Sequence, residues 1–188
     1  MNKKYYKKIQ GEQGERVYLS PLNIEDNELY TKWLNDSGVM ENIGGSHYNN
    51  NTVACKAWFE EKLKNDRAVL LAVVRNDNDQ PIGYFEFMEL EHVHRTATFC
   101  VFIGDEENRG KGYGTEAVGL AVKYGFDVLN LNNIDLKVYS FNERARKSYE
   151  KIGFKQYGRR SQAYYFNGEY YDMVLMEILR EDFYGSGV

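Results

Sequence analysis

The sequence predicts one mixed α/β (α+β) domain, and three observations carry that reading. Residues 67–75 hold a continuous apolar, β-branched run from Ala68 to Val74, the pattern of a strand buried on both faces. Residues 82–90 and 96–103 follow as two strand-like runs joined by a short polar link, which reads as an antiparallel pair. Residues 115–131 then form the longest amphipathic stretch, with Ala117, Ala121, Gly125 and Val128 on one stripe and Val118, Val122, Phe126 and Leu129 on the next. No internal repeat or linker divides the chain. The reading is a leader over residues 1–15, one domain over 16–183 and a tail over 184–188.

The remaining elements fall into order around these three. Residues 16–22 alternate about Val17 and Leu19 and read as a strand that Pro21 ends. Residues 23–34 read as a helix capped by Asn23, with Ile24, Leu29, Trp33 and Leu34 near helical spacing. Residues 35–51 are polar and read as a long loop. Residues 52–64 give a second helix, with Val53, Ala57 and Leu63 expected on its packed side and Trp58 close by. Residues 134–140 form a strand. Residues 142–152 form a short helix with Asn142 as cap and Gly153 as stop. Residues 154–166 and 169–179 flank Asn167-Gly168, a strong hairpin signal.

Composition sets the function classes. The net charge of −4 predicts no bulk attraction to nucleic acid or to an anionic membrane. No apolar run approaches the length of a membrane span, and the basic N-terminus is not followed by an apolar stretch, so a cytoplasmic location is the expectation. The two cysteines, Cys55 and Cys100, read as reduced, buried thiols. Sixteen tyrosines cluster in part on the last hairpin, which makes it a candidate homodimer surface. His92 and His94 share a strand face without a third ligand, so no metal site is expected. His47 in the long loop reads as an exposed residue that could line a substrate mouth.

The most informative stretch is Asn108-Arg109-Gly110-Lys111-Gly112-Tyr113-Gly114, where a strand hands over to a helix. Glycine allows close backbone approach, and a helix start offers free N–H groups, so this is an anion cradle suited to phosphate or pyrophosphate. A P-loop needs Ser or Thr directly after its Lys, and Lys111 precedes Gly112. A dinucleotide fingerprint fits Gly112-Tyr-Gly114-Thr-Glu-Ala117, with Asp135 near the spacing of about 20 residues. But Asp135 opens a strand instead of closing one, and the preceding strands read as antiparallel. A coenzyme A pyrophosphate turn, Arg-x-x-Gly-x-Gly, fits Arg109 to Gly114. A ligand-free glycine turn is the competing reading.

Downstream, Asn142 starts a helix on which Ala145 and Tyr149 share a face. Alone, Tyr149 reads as a core aromatic beneath Ile152. Coupled to the glycine turn, it reads as part of an active site. With Ile103 to Ala117, Ser140 to Ala145, Tyr149-Glu-Lys-Ile-Gly-Phe154, and the Phe166 to Asp172 hairpin leading to Phe183, the chain resembles the GNAT superfamily of acetyl-CoA-dependent N-acetyltransferases. The resemblance is nearest to the branch of ribosomal-protein N-terminal and spermidine N-acetyltransferases, and it covers residues 16–183.

That resemblance implies a three-layer fold with a central, mostly antiparallel, splayed sheet flanked by helices. It implies that acetyl-CoA binds as co-substrate along residues 96–104, bonded near Phe102 and Ile103. The amides of Arg109, Gly110, Lys111, Gly112, Tyr113, Gly114 and Thr115 would hold its pyrophosphate, and Asn142 would bond it from the facing strand. The chemistry implied is acetyl transfer to a primary amine: a protein N-terminus, a polyamine, an amino sugar or another small amine. A phenol of pKa about 10 can protonate a leaving thiolate of pKa about 8.5, and Tyr149 matches the family's general acid. Glu86 is the candidate carboxylate for the amine. Spermidine-type enzymes carry acidic residues after the first helix. Here residues 42–51 contain none, which keeps the acceptor open. A non-catalytic acetyl-CoA-binding module on the same fold is the alternative function, and a nicotinamide-dependent oxidoreductase is a third.

Overall fold

The computed structural model describes residues 7–9, 14–44 and 50–185. Its strands are β1 (Val17–Pro21), β2 (Val69–Arg75), β3 (Pro81–Glu91), β4 (Thr96–Ile103), β5 (Asn133–Tyr139), β6 (Lys155–Phe166) and β7 (Glu169–Leu179). They form one seven-stranded sheet in the order β1-β2-β3-β4-β5-β7-β6. Every pairing is antiparallel except β4 with β5, which is parallel. The chain reaches β5 through α4 (Tyr113–Asp127), the crossover helix that a parallel neighbour requires.

Two helical layers cover the sheet. On one face α4 and α5 (Glu143–Ile152) bury Ala117, Val118, Ala121, Val122, Phe126 and Tyr149 against Phe85, Phe87, Phe99, Ile134 and Leu136. On the other, α1 (Asn27–Leu34), α2 (Ser37–Ile43) and α3 (Thr52–Lys64) bury Tyr30, Trp33, Val39 and Phe59 against Leu70, Tyr84 and Phe102. Period-2 alternation along β3 and β4 sends successive side chains to these two layers. That alternation places Tyr84, Glu86 and Cys100 on the α1–α3 face.

Several boundaries differ from the sequence reading. Asn23 does cap, accepting from Glu25 N–H, but the turn it starts is a 3-10 turn (Ile24–Asp26), and α1 begins after it. The segment read as a loop contains α2. Its signals are Asp36, whose Oδ1 accepts from Val39 N–H at 3.0 Å, and Gly44, which closes it at φ 71°. The polar composition of residues 35–44 hid both. The packed side of α3 is carried by Cys55 and Phe59, one turn apart. Val53 is 78% exposed and Leu63 and Trp58 are also exposed. α4 starts at Tyr113 and stops at Asp127, leaving Val128 exposed. Asn130 then turns the chain at φ 56°. A short α6 (Arg180–Tyr184) follows β7.

Candidate active site

The glycine run folds as a cradle. Gly110 and Gly112 adopt φ of 75° and 84°, and Gly112 occupies the cap position of α4. Glu116 N–H is the first to find a helical acceptor, the carbonyl of Gly112. Among the described residues, the amides of Gly110, Lys111, Gly112, Tyr113, Gly114 and Thr115 have no backbone partner. A Cβ built on Gly110 meets nothing within 4 Å, so the space over the turn is open. Asn108, beneath the turn, is buried with its Oδ1 unpartnered. These features fit a diphosphate: several free donors, a helix start and room for the ligand.

Arg109 is placed differently from the rest of the run. Its N–H donates to Glu106 O at 2.9 Å, and its guanidinium donates to the carbonyls of Ile103 and Gly104 and to Asp36 Oδ1. It ties the end of β4 to the cap of α2 and buttresses the turn. The opposite wall is built by Arg16, which donates to Lys111 O at 2.7 Å and to both Glu116 carboxylate oxygens, one through its own N–H. Tyr113 lies beneath the Arg16 and Arg75 guanidiniums.

β4 and β5 pair only at Thr96, Ala97 and Thr98, opposite Asn133, Ile134 and Asp135. Beyond Thr98 the strands part and leave a gap beside the cradle. Gly104 N–H donates to Ile82 O, and Tyr84 faces Phe102 in the same register. Antiparallel alternation therefore turns the Phe102 backbone toward β3 and the Phe99, Val101 and Ile103 backbones toward the gap. This corrects the expectation that Phe102 bonds the coenzyme arm: its side chain packs on Trp33 and Tyr84, and Val101 takes the gap-facing position. Strand alternation was the signal that could have found Val101. Ile103 does face the gap, with its carbonyl engaged by Arg109.

On the far side of the gap, Asn142 Oδ1 accepts from Ala145 N–H at 3.1 Å and caps α5, which leaves its amide nitrogen to donate. Tyr149 sits on α5, packs against the Phe154 ring, and is 9% exposed. Burial, with a smaller contribution from the Cys100 thiol, holds its phenol well above 10. Cys100 was expected to be a buried core thiol, but it is half-buried on β4. It interacts with Tyr149 and also with Glu86 and Lys62. Burial and the Glu86 carboxylate push its thiol up to about 12, with Lys62 acting the other way.

Glu86 is 5% exposed and bonded to Lys62 Nζ at 2.6 Å. Removing one partner from such a buried pair costs about 3–5 kcal/mol. Lys62, together with Glu89, Thr98, Asp135 and Glu177, lines a cleft of about 870 Å³ at the end of β4 remote from the cradle. Asp135 and Glu177 stand opposite each other on β5 and β7. Among the described residues, Glu89, Asp135 and Glu177 find only neutral donors: Thr98, Tyr157 and Asn133, respectively. Glu86 does not line this cleft, and of the carboxylates that do, Asp135 and Glu177 were not assigned to the site from sequence. The Asp135–Glu177 pairing needs strand order, which local pattern does not contain. Among the described residues no three His, Cys, Asp or Glu side chains gather as a metal-ligand set. His47 lies outside the described residues.

A sheet that opens beside a glycine-led helix, with a phenol on one side and a carboxylate on the other, has the form of an acyl-coenzyme A-dependent transferase. A family model for the acetyltransferase (GNAT) domain matches residues 16–155, and the chain belongs to that family. The spermidine N(1)-acetyltransferase of Escherichia coli strain K12 is 34% identical over 180 residues, covering 89% of this chain and 88% of that one. The enzyme of that name from Vibrio cholerae is 32% identical over 148 residues, covering 72% of this chain and 85% of its own length. A crystal structure of Vibrio cholerae spermidine N-acetyltransferase, in complex with CoA and spermine, superposes with a TM-score of 0.85 at 25% identity, covering 92% of this chain and all of that one. The chain is an acetyl-CoA-dependent N-acetyltransferase.

Proposed function

We propose that the acceptor is a polyamine-like primary amine carrying further positive charge. The observation that carries this reading is the cleft at the paired ends of β4 and β5, which Glu89, Asp135 and Glu177 line with only neutral hydrogen-bond partners among the described residues. A second ammonium on the acceptor would neutralise them. The similarity to spermidine N(1)-acetyltransferases supports the same class. The lack of acidic residues at 42–51 is offset in this reading by Glu89, Asp135 and Glu177 on β3, β5 and β7.

In this reading the cradle from Gly110 to Thr115 binds the coenzyme diphosphate, and the gap-facing groups of Val101 and Ile103 align the arm. Asn142 donates to it from the facing strand. Acetyl-CoA supplies a thioester carbonyl. Glu86 receives the acceptor ammonium and takes a proton, since an alkylammonium of pKa about 10 is not a nucleophile. The amine nitrogen attacks the carbonyl carbon. A gap-facing amide of β4 stabilises the oxyanion. Once the C–N bond has formed, the tetrahedral adduct collapses with loss of the C–S bond; Tyr149 gives its proton to the leaving sulfur, and the second proton of the former ammonium leaves the adduct nitrogen and returns the tyrosinate to its neutral form. The products are an N-acetyl amide and the free thiol of coenzyme A. The cytoplasmic location and the homodimer surface over the exposed Tyr165 and Tyr170 belong to this proposal as well.

Kinetics on Asp135→Asn and Glu177→Gln test the charge assignment. The account expects KM for spermidine to rise about tenfold in each, with kcat and KM for acetyl-CoA nearly unchanged. An unchanged KM for spermidine in both variants would reject the cleft as the acceptor's second contact.

A further inference from the structure

We propose that Lys62 is an internal stand-in for the substrate: its side-chain ammonium fills the acceptor's ammonium position on Glu86 in the resting enzyme and must withdraw when the acceptor enters. The inference rests on the reading of Glu86 as the acceptor-facing carboxylate. Four observations support it. Lys62 Nζ lies 2.6 Å from Glu86 Oε1. The same nitrogen lies 5.3 Å from the centre of the Trp58 ring, so carboxylate and aromatic face together make an ammonium pocket. Lys62 lines the cleft whereas Glu86, 5% exposed, does not, so the lysine stands between the carboxylate and the space an acceptor would enter. Lys62 comes from α3, not from the sheet, and its side chain is 27% exposed, so it has solvent to withdraw into.

The chemistry of the exchange is symmetric. A lysine side chain is an n-butylammonium, and a primary amine acceptor in water is also an alkylammonium. A pocket that satisfies one satisfies the other. The lysine spares a buried carboxylate from standing unpaired in the empty enzyme, and it makes acceptor binding a replacement. Apparent acceptor affinity is then reduced by the fraction of enzyme whose pocket is open. Monocations gain little from that replacement. An acceptor with a second ammonium for Asp135 and Glu177 gains more, so Lys62 sharpens the selection for multiply charged amines.

The test compares the parent enzyme with Lys62→Met, Lys62→Arg and Glu86→Gln. Two readouts are used: KM for spermidine in acetyl transfer, and the thermal shift produced by n-butylammonium chloride. Methionine keeps the apolar stem and removes the charge. Arginine holds a carboxylate more firmly through its fork. The expected results are a roughly tenfold lower spermidine KM in Lys62→Met and a higher one in Lys62→Arg, with KM for acetyl-CoA constant. n-Butylammonium should raise the melting temperature of Lys62→Met more than that of the parent, whatever the basal stability of the variant. Equal or opposite movement of spermidine KM in the two lysine variants, or no extra n-butylammonium shift in Lys62→Met, would overturn the role of Lys62 even where Glu86→Gln is impaired. A Glu86→Gln enzyme with parental kcat and spermidine KM would instead overturn the reading of Glu86, and this inference with it.

Discussion

Tyr149 is held protonated by its surroundings. Burial raises its phenol well above 10, so it stays neutral across the working range and is available as a donor to sulfur. Tyr149→Phe is expected to lower kcat by about 10²–10³ while leaving KM for acetyl-CoA within about twofold, the signature of a group that acts in the transition state. Equal loss in kcat and coenzyme affinity would instead assign it to packing against Phe154. Its residue type and position in the α5 motif were legible in the sequence. Its nearness to Cys100 was not, because that depends on where β4 and β5 part, which no local pattern records. Phe102 illustrates the same limit: a strand was foreseen, but not the parity that turns its backbone to β3.

At the level of elements, the proposed donor end of the site is a backbone device and the proposed acceptor end a side-chain device. The cradle is made by two left-handed glycines and unpaired amides, and such motifs announce themselves in sequence as spacing. Gly110→Ala places a methyl group in open space over the cradle at a φ that disfavours it. It is expected to cost about 1 kcal/mol of stability but to raise KM for acetyl-CoA at least tenfold, measured by steady-state kinetics beside thermal melting. A variant that loses the stability yet keeps the parental KM would remove the cradle from the coenzyme site. The hairpin of β6 and β7, the α5 caps and β2 to β4 were readable because each is fixed by local signals: Asn167-Gly168, Asn142 with Gly153, and apolar runs. α2 was missed because its caps bracket a polar segment. The face of α3 was misread because its apolar residues encircle the helix, so tertiary contacts with Tyr30 and Tyr84 select Phe59.

Across the whole molecule, the sheet separates a donor end, at the start of α4, from an acidic end, where β4 and β5 still pair. In the proposed mechanism the reacting groups, Tyr149 and Glu86, stand between them on opposite sides of the gap. This long-range layout needed strand order, which no local window encodes. The same burial that shapes the site ties stability to alkaline pH. Burial raises the phenols of Tyr30, Tyr84 and Tyr149 above their unfolded value of about 10, and burial and Asp79 do so for Tyr18. Below that value all are protonated folded or unfolded, and their contribution is fully present. Above it the unfolded chain loses protons that the folded chain retains, so stability falls as pH rises. Urea melts from pH 8 to 11 should show that fall beginning near pH 10, and it should be shallower in Tyr149→Phe. A parallel fall in the variant would exclude Tyr149 as a contributor.

Release of free thiol from acetyl-CoA, followed with a panel of polyamines, amino sugars, aminoglycosides and peptides with free N-termini, tests the central claim most directly. The account predicts amine-dependent release that is fastest with spermidine or spermine, accompanied by the N-acetylated amine. Binding of acetyl-CoA without amine-dependent thiol release from any member of the panel would contradict it.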